Sequence, residues 1–295
     1  LDRAARKEQA MNEQHALTTF SPEEIDTFSP TTMKIGLLAT VNQDGLPHLT
    51  LISSIQANSP TQMIWGQFTE GQSKTHVRQE PKVGWLIMTL DKQLWRGKST
   101  FTHTAKQGPE FEMYNNTPMF RYNAYFGVHT VFFMDLLEHT GRQPLRMARV
   151  VFGALQTMMC RAVSTQRAQE QVLNLWTRQL MNKLDNLKFV SYIGLDGFPV
   201  VVPVIQAMAA GSEEIVYSTG AFRDDLLAIP QDATVAVFGM SLQMEDVLMR
   251  GEYPRQRTIA GIRCGSVRVN WVYNPMPPKP QQIYPQITVE PVRTF

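Results

Sequence analysis

The sequence predicts a mainly β protein with a helical connector (an α+β arrangement): two tandem copies of one small β-barrel module. Three observations carry this. The stretch Leu37–Pro47, an apolar strand followed by Asp44-Gly45, recurs as Phe189–Pro199 around Asp196-Gly197, an offset of 196 − 44 = 152 residues. Asp-Gly between two apolar runs is the strongest short-range hairpin signal, because the favoured two-residue turns need positive φ. The same offset carries Ile64-Trp65 to Val216-Tyr217 and Val83–Leu86 to Val235–Phe238 without a gap, and it matches Ala57, Gln79, Met88 and Leu90 with Ala209, Gln231, Met240 and Leu242. Finally, each copy reads as a run of short strands with one short helix inserted, the pattern of a small barrel. Arg96-Gly97 pairs with Arg250-Gly251 if two residues are inserted before it.

In chain order, residues 1–32 form an N-terminal helical extension, in which Ser21-Pro22-Glu23-Glu24 is a capping box with proline at the first helical position. Residues 33–145 form the first barrel. Residues 146–185 form a helical connector, with Val163, Val172, Leu173, Leu175, Trp176, Leu180, Leu184 and Leu187 near helical spacing and facing a barrel. Residues 186–295 form a second, degenerate barrel, and the Pro-rich tail beyond Asn274 predicts no regular structure.

Composition narrows the function. Hydrophobic residues at 43% against 18% charged support a sizeable core and argue against wholesale disorder. The formal charge of +2 leaves no electrostatic case for nucleic acid. The most apolar stretch, Val150–Val163, is interrupted by Gln156, Thr157 and Arg161, so no membrane partner is expected. The opening residues Leu1–Lys7 lack the apolar stretch of a signal peptide. Cys160 and Cys264 sit in different segments at no metal-ligand spacing, so neither a disulfide nor a metal site is predicted. These points together predict a soluble cytoplasmic protein.

The chemistry-bearing stretch is Trp65 to Pro81. A strand ends near Phe68, a turn through Gly71 follows, and Ser73 is placed to cap a short helix with Lys74 behind it. Helix N-termini offer unpaired N–H groups and the positive end of the helix dipole, an anion site. Gly71 admits close backbone approach, Ser73 offers a hydroxyl and Lys74 a charge. Ser-Lys at a helix start also reads as an ordinary cap beside a solvated lysine.

The order of elements resembles the FMN-binding split β-barrel family, that of pyridoxamine 5′-phosphate oxidase and its relatives. The resemblance covers Met33 to about Leu145 and, more faintly, Asn186 to about Pro275. It rests on Ala39–His48, Gly66–Lys74, Glu80-Pro81-Lys82-Val83 and Trp95-Arg96-Gly97. It implies FMN as cofactor, with Thr50, Leu51, Ile52 and Ser53 along the flavin ring and ribityl chain. Gln67, Phe68, Gly71, Ser73 and Lys74 would hold the phosphate, and Trp95 and Arg96 would reach the ring edge. Lys74 to Pro81 is one residue shorter than the commonest family spacing, and the oxidase's Arg-rich C-terminal signature has no counterpart here. The resemblance therefore implies a flavin-dependent oxidoreductase with an unassigned small-molecule substrate, and no catalytic acid or base is named. Single-module relatives usually form two-fold dimers around FMN, which implies a homodimer or an intrachain pseudo-dimer.

Other constellations stand beside this one. The six histidines all precede the second copy and show no helical zinc spacing. Some relatives bind or degrade haem, which makes haem or flavin handling the alternative function, with His76 and His129 as first candidate ligands. Met113, Tyr114, Met119, Phe120, Tyr122, Tyr125 and Phe126 read either as a lid over a flavin or as a packed connection. Arg250, Arg255, Arg257, Arg263 and Arg268 read either as an anion-attracting rim or as solvated strand faces. The second copy places Arg223, Asp224, Asp225 and Leu226 opposite Gly71, Gln72, Ser73 and Lys74, so it is expected to hold no FMN phosphate.

Overall fold

The computed structural model describes residues 16–118, 127–164, 170–254, 256–259, 261–276 and 280–288. The first barrel comprises β1 (Lys34–Val41), β2 (Pro47–Leu51), β3 (Gln56–Ser59), β4 (Gln62–Gln67), β5 (Lys82–Thr89), β6 (Gln93–Ala105), β7 (Thr130–His139) and the short β8 (Gln143–Pro144). Its helices are α1 (Pro22–Thr27), α2 (Gln72–Gln79) and α3 (Pro109–Asn116). The second half contains α4 (Met147–Ser164), α5 (Leu175–Asn182) and α6 (Arg223–Leu227). Its strands are β9 (Leu187–Ile193), β10 (Pro199–Pro203), β11 (Met208–Ala210), β12 (Glu214–Ser218), β13 (Ala233–Met240), β14 (Asp246–Tyr253), β15 (Arg257–Ile259), β16 (Ile262–Asn274) and β17 (Gln281–Tyr284). By compactness the chain divides into Leu1–Thr40 with Leu51–Leu145, and Val41–Thr50 with Arg146–Phe295.

Strand order is β2-β1-β5-β6-β7-β4-β3 in the first sheet and β10-β9-β13-β14-β16-β12-β11 in the second, the same path strand for strand. In the first, inward side chains of six strands meet in one cluster: Leu38, Ala57, Met63, Trp65, Trp85, Trp95 and Phe132 belong to it. A sheet in which strands as far apart as β1 and β3 share one core with those between them has curled on itself, which is a barrel. The turn after β2 stays against β1, extending that ladder by one rung with Ile52 N–H donating to Gly36 O at 2.8 Å. A Cβ on Gly36 would lie 2.2 Å from Ile55 Cγ2 and 2.5 Å from Ile52 O, so in this copy the turn packs too closely on β1 for a side chain there. The second barrel repeats the bond, Val204 N–H to Lys188 O at 2.8 Å, with lysine at the matching position. That Lys188 is fully buried and donates to Lys183 O and Ile205 O, and burial pulls its pKa down to about 8.

The ladder register fixes the repeat and corrects one pairing. Ile35↔Met88 in the first barrel becomes Leu187↔Met240 in the second, and Gly84↔Lys98 becomes Ala236↔Arg250. The register thus matches Arg250 with Lys98 rather than with Arg96, and no two-residue insertion precedes it. A shift of two residues keeps a side chain on the same face of its strand, so alternation alone does not separate the two matches and the cross-strand partner decides it. Even the β-bulge recurs, between Lys98 and Ser99 in one copy and Arg250 and Gly251 in the other. At this pair of strands Lys98 bonds Glu138 at 2.5 Å, whereas Arg250 lies 3.7 Å over the ring of Trp271.

The last strand departs from the offset. Gln62↔Asp135 becomes Glu214↔Arg268, an offset of 268 − 135 = 133, so the first copy carries 152 − 133 = 19 extra residues between β6 and β7. That insertion contains α3, whose Tyr114 is fully buried and donates to Ser54 O at 2.7 Å. It packs with Ile64, Val128, Val131 and Phe133 on the outer face of β4 and β7, so Met113 and Tyr114 belong to a packed connection. Met119, Phe120, Tyr122, Tyr125 and Phe126 lie outside the described residues.

Three further expectations change. The connector is two helices, α4 and α5, with Asn174 capping α5 through Thr177 N–H at 2.8 Å. Between them Leu173 N–H donates to Ser212 O, and Leu175 and Leu184 of the predicted stripe are exposed. In the tail, Gln281–Tyr284 pairs with β16, because those four residues fall between prolines and keep their N–H groups. Cys160 and Cys264 are disulfide-bonded with Cα atoms 6.6 Å apart. The bridge was invisible in the sequence because it depends on α4 lying along β16, a contact across 104 residues. Disulfides are rare in reducing compartments, so the cytoplasmic expectation loses its cysteine argument. Among the described residues, no helix is long and apolar enough to cross a membrane.

Candidate functional site

The turn from β4 into α2 is built from the inside outward. Gly66, near the end of β4, is held on both sides by one hydroxyl: Ser54 Oγ donates to Gly66 O at 2.9 Å and accepts from Gly66 N–H at 3.0 Å. Gln67, buried at the strand's end, donates through Nε2 to Glu70 Oε1 at 2.9 Å. Helix α2 then starts at Gln72 with Gly71 as its N-cap and no side-chain cap. Ser73 therefore lies inside the first turn and is not the cap that the sequence implied. The chain reached its helix one residue-pair earlier than a serine cap requires, leaving the Ser73 side chain buried.

Lys74 is the unusual residue here. It is 7% exposed, and its ammonium turns back onto the start of its own helix: a Cβ on Gly71 would stand 3.1 Å from Lys74 Nζ. Burial lowers its pKa, and the Glu70 carboxylate works against that shift. On the other side of α2, His76 Nδ1 lies 3.1 Å from Thr40 Oγ1, both buried, which ties the helix to β1. His129 Nδ1 lies 2.8 Å from Thr130 Oγ1 at the start of β7.

The remaining predicted residues divide between surface and core. Thr50, Leu51 and Ser53 are half-buried at the end of β2 and the following turn. Ile52 is 7% exposed inside the barrel cluster. Trp95 is also in that cluster, its Nε1 donating to Glu24 Oε1 of α1 at 2.9 Å. Both side chains thus pack into the barrel core, Ile52 at 7% exposed and Trp95 at 3%. Arg96 alternates to the opposite side of β6, and its Nη2 donates to Gln143 Oε1 at 3.4 Å. The structure thus brings Gln67, Gly71, Ser73 and Lys74 together at one turn, with Phe68 half-buried between them and packed on the outer cluster. Glu70, Ser54, Thr40 and His76 join them. Sequence reasoning named His76 only as a candidate haem ligand and passed over Glu70, Ser54 and Thr40, because each acts through a partner distant in the chain or through its charge on Lys74.

The second barrel supplies a contrast within the same chain. Helix α6 starts after Phe222 with Asp224 and Asp225 in its first turn, and buried Leu226 stands where the offset places Lys74. Carboxylates there satisfy the positive end of the helix and repel an incoming anion. Gln206, at the position of Ser54, donates to Ser218 O at 2.7 Å, so the tie to the strand persists while the anion-binding groups do not.

No sequence-family profile matches the chain, and no curated protein sequence does. Among solved structures it is similar to HupZ of Group A Streptococcus, at 16% identity over 41% of this chain and 91% of that one, with a TM-score of 0.34. An FMN-binding protein from Syntrophomonas wolfei is similar at 14% identity over 46% of this chain and 93% of that one, TM-score 0.34. A Lactobacillus delbrueckii protein assigned as a pyridoxamine 5′-phosphate oxidase matches at 17% identity over 42% and 94%, TM-score 0.33.

Proposed function

We infer that the chain is a two-barrel relative of the FMN-binding split β-barrel proteins, and that its first barrel binds FMN with the phosphate at the start of α2. The observation that carries this is the buried Lys74 ammonium turned onto a helix N-terminus that no side chain caps. A buried cation that no close ion pair neutralises is costly, and a phosphate dianion there would restore the charged lysine to favourable surroundings. The groups present fit that end of the cofactor: Lys74 supplies charge, Gly71 leaves room for the ammonium, and α2 presents its dipole. Thr50, Leu51, Ser53 and the outward Arg96 are the residues left to meet the rest of the molecule.

A bound flavin would supply two-electron redox chemistry, while the protein binds and orients it. The chain is accordingly proposed to be an oxidoreductase acting on a small molecule. Pairing of barrels around the cofactor, through a second chain or through the second copy, belongs to the same proposal, and light scattering of the flavin-loaded protein distinguishes the two.

The test compares FMN with riboflavin, which lacks the phosphate. Lys74→Ala should weaken FMN about ten- to a hundred-fold and riboflavin little, since a charge-assisted hydrogen bond contributes about 1.5–3 kcal/mol. Flavin released by denaturation should approach one per chain, given the carboxylates at α6. Equal losses for both ligands, or none, would remove the phosphate from this turn.

A further inference from the structure

Glu70 is the residue at the turn that neither the fold nor cofactor binding explains. It stands one position before the Gly71 cap, is exposed, and is tethered by Gln67 Nε2 at 2.9 Å. Its neighbour Gly71 is where the Lys74 ammonium turns back, 3.1 Å from the position of a Cβ, so the carboxylate stands beside that cation, and its charge works against the fall in the lysine's pKa; among the described residues no ion pair of ordinary length joins the two. A carboxylate beside a phosphate site opposes the phosphate directly, so its place there calls for a role when no phosphate is bound.

We propose that Glu70 is a built-in stand-in for the ligand's phosphate, a tethered carboxylate that Lys74 faces in the ligand-free protein and that sets the cradle's strength and charge selectivity. The proposal rests on the phosphate reading above. A phosphoryl group entering the turn meets the Glu70 charge as well as the Lys74 charge. The carboxylate must swing outward or share the site, and either way part of the binding free energy goes into that displacement. An exposed glutamate on a single tether can yield in this way, whereas the second copy carries two carboxylates, Asp224 and Asp225, within the first turn of its helix. The two barrels thus hold the same kind of charge at the same helix end, a single one before the cap in the first and two inside the helix in the second. A monoanion loses less to Glu70 than a dianion does, which makes the residue a determinant of ligand charge.

The informative substitution is Glu70→Gln, which keeps the oxygen that accepts from Gln67 and removes only the charge. FMN should bind about two- to five-fold more tightly, the range expected for an exposed charge pair. Riboflavin should be unchanged, and the gain should shrink as salt is raised. The ligand-free variant should unfold at a slightly lower temperature than the parent, because Lys74 has lost its counter-charge. Added inorganic phosphate should raise that midpoint more in the variant than in the parent. Glu70→Asp, which retains the charge, should bind FMN no more tightly than the parent. Unchanged or weaker FMN binding by a folded Glu70→Gln protein, with Lys74→Ala still separating FMN from riboflavin, overturns the role of Glu70 and leaves the phosphate site standing. Failure of Lys74→Ala to separate the two ligands overturns the site itself, and this proposal with it.

Discussion

Gly71 shows how one residue can matter without any backbone demand. Its φ of 175° is ordinary extended backbone, open to any side chain, so glycine is not needed there for the fold. What an alanine would meet is the Lys74 ammonium, 3.1 Å from the new Cβ. Displacing a flexible side chain from its preferred rotamer costs about 0.5–1.5 kcal/mol. Gly71→Ala should therefore weaken FMN about two- to ten-fold while shifting the unfolding midpoint little, and a large loss of stability in urea melts would contradict this account. Residue by residue, the sequence was most legible where chemistry is local. Gly71 and Lys74 declared themselves by type and spacing at a strand-to-helix turn. Trp95 and Arg96 did not, because adjacent strand residues face opposite ways and only packing decides which enters the core. Thr40, and the part His76 plays beside it, were illegible for a related reason: a hydrogen bond across 36 residues leaves no mark on either neighbourhood.

At the scale of elements, the two barrels cover the same outer face with helices from different parts of the chain. In the first, α3 from the insertion lays Tyr114 over β4, and Gly66 leaves room for it: a Cβ there would stand 3.6 Å from the Tyr114 ring and 2.8 Å from Val128. In the second, α4 from the connector does the equivalent work, with Thr157 Oγ1 accepting from Ser218 N–H at 2.9 Å and Gly153 packed against Ser218 and Gln206. Periodicity announced α4 and α5, but it could not say which barrel they serve, nor that Leu175 would face away from it. Tyr114 offers the test. Its hydroxyl is fully buried and reaches Ser54 O at 2.7 Å, on the residue whose side chain holds Gly66. Tyr114→Phe should cost about 0.5–1.5 kcal/mol of unfolding free energy, read from urea melts, and should loosen the β4 end enough to speed local amide exchange at Gly66. A variant as stable as the parent, with Gly66 equally protected, would show that α3 rests on the barrel without holding it.

For the whole molecule, the duplication was the most legible feature of all, since a constant offset is a property of the sequence itself and the ladders repeat it pair for pair. The disulfide was the least legible. Cys264 occupies the position that Val131 holds in the first copy, where α3 is fastened by apolar packing and by the Tyr114 hydroxyl on Ser54 O. The second barrel replaces that packing with a bond from Cys160 on α4. Closing a loop of 104 residues removes much of the unfolded chain's freedom. Replacing both cysteines by serine should therefore lower unfolding free energy by about 2–4 kcal/mol. Calorimetry of the oxidised protein against the double variant measures this, and identical curves would mean that α4 needs no staple. The bulge shared by the two copies carries a different consequence. From the first strand to the sixth, neither copy has gained or lost a residue against the other, and even the irregular step between Lys98 and Ser99 has been inherited in place. All the drift in length has been confined to one port, the link into the seventh strand, where the first copy carries its extra helix. A foreign segment grafted there has a precedent in this very chain; grafted anywhere else between those strands, it has none.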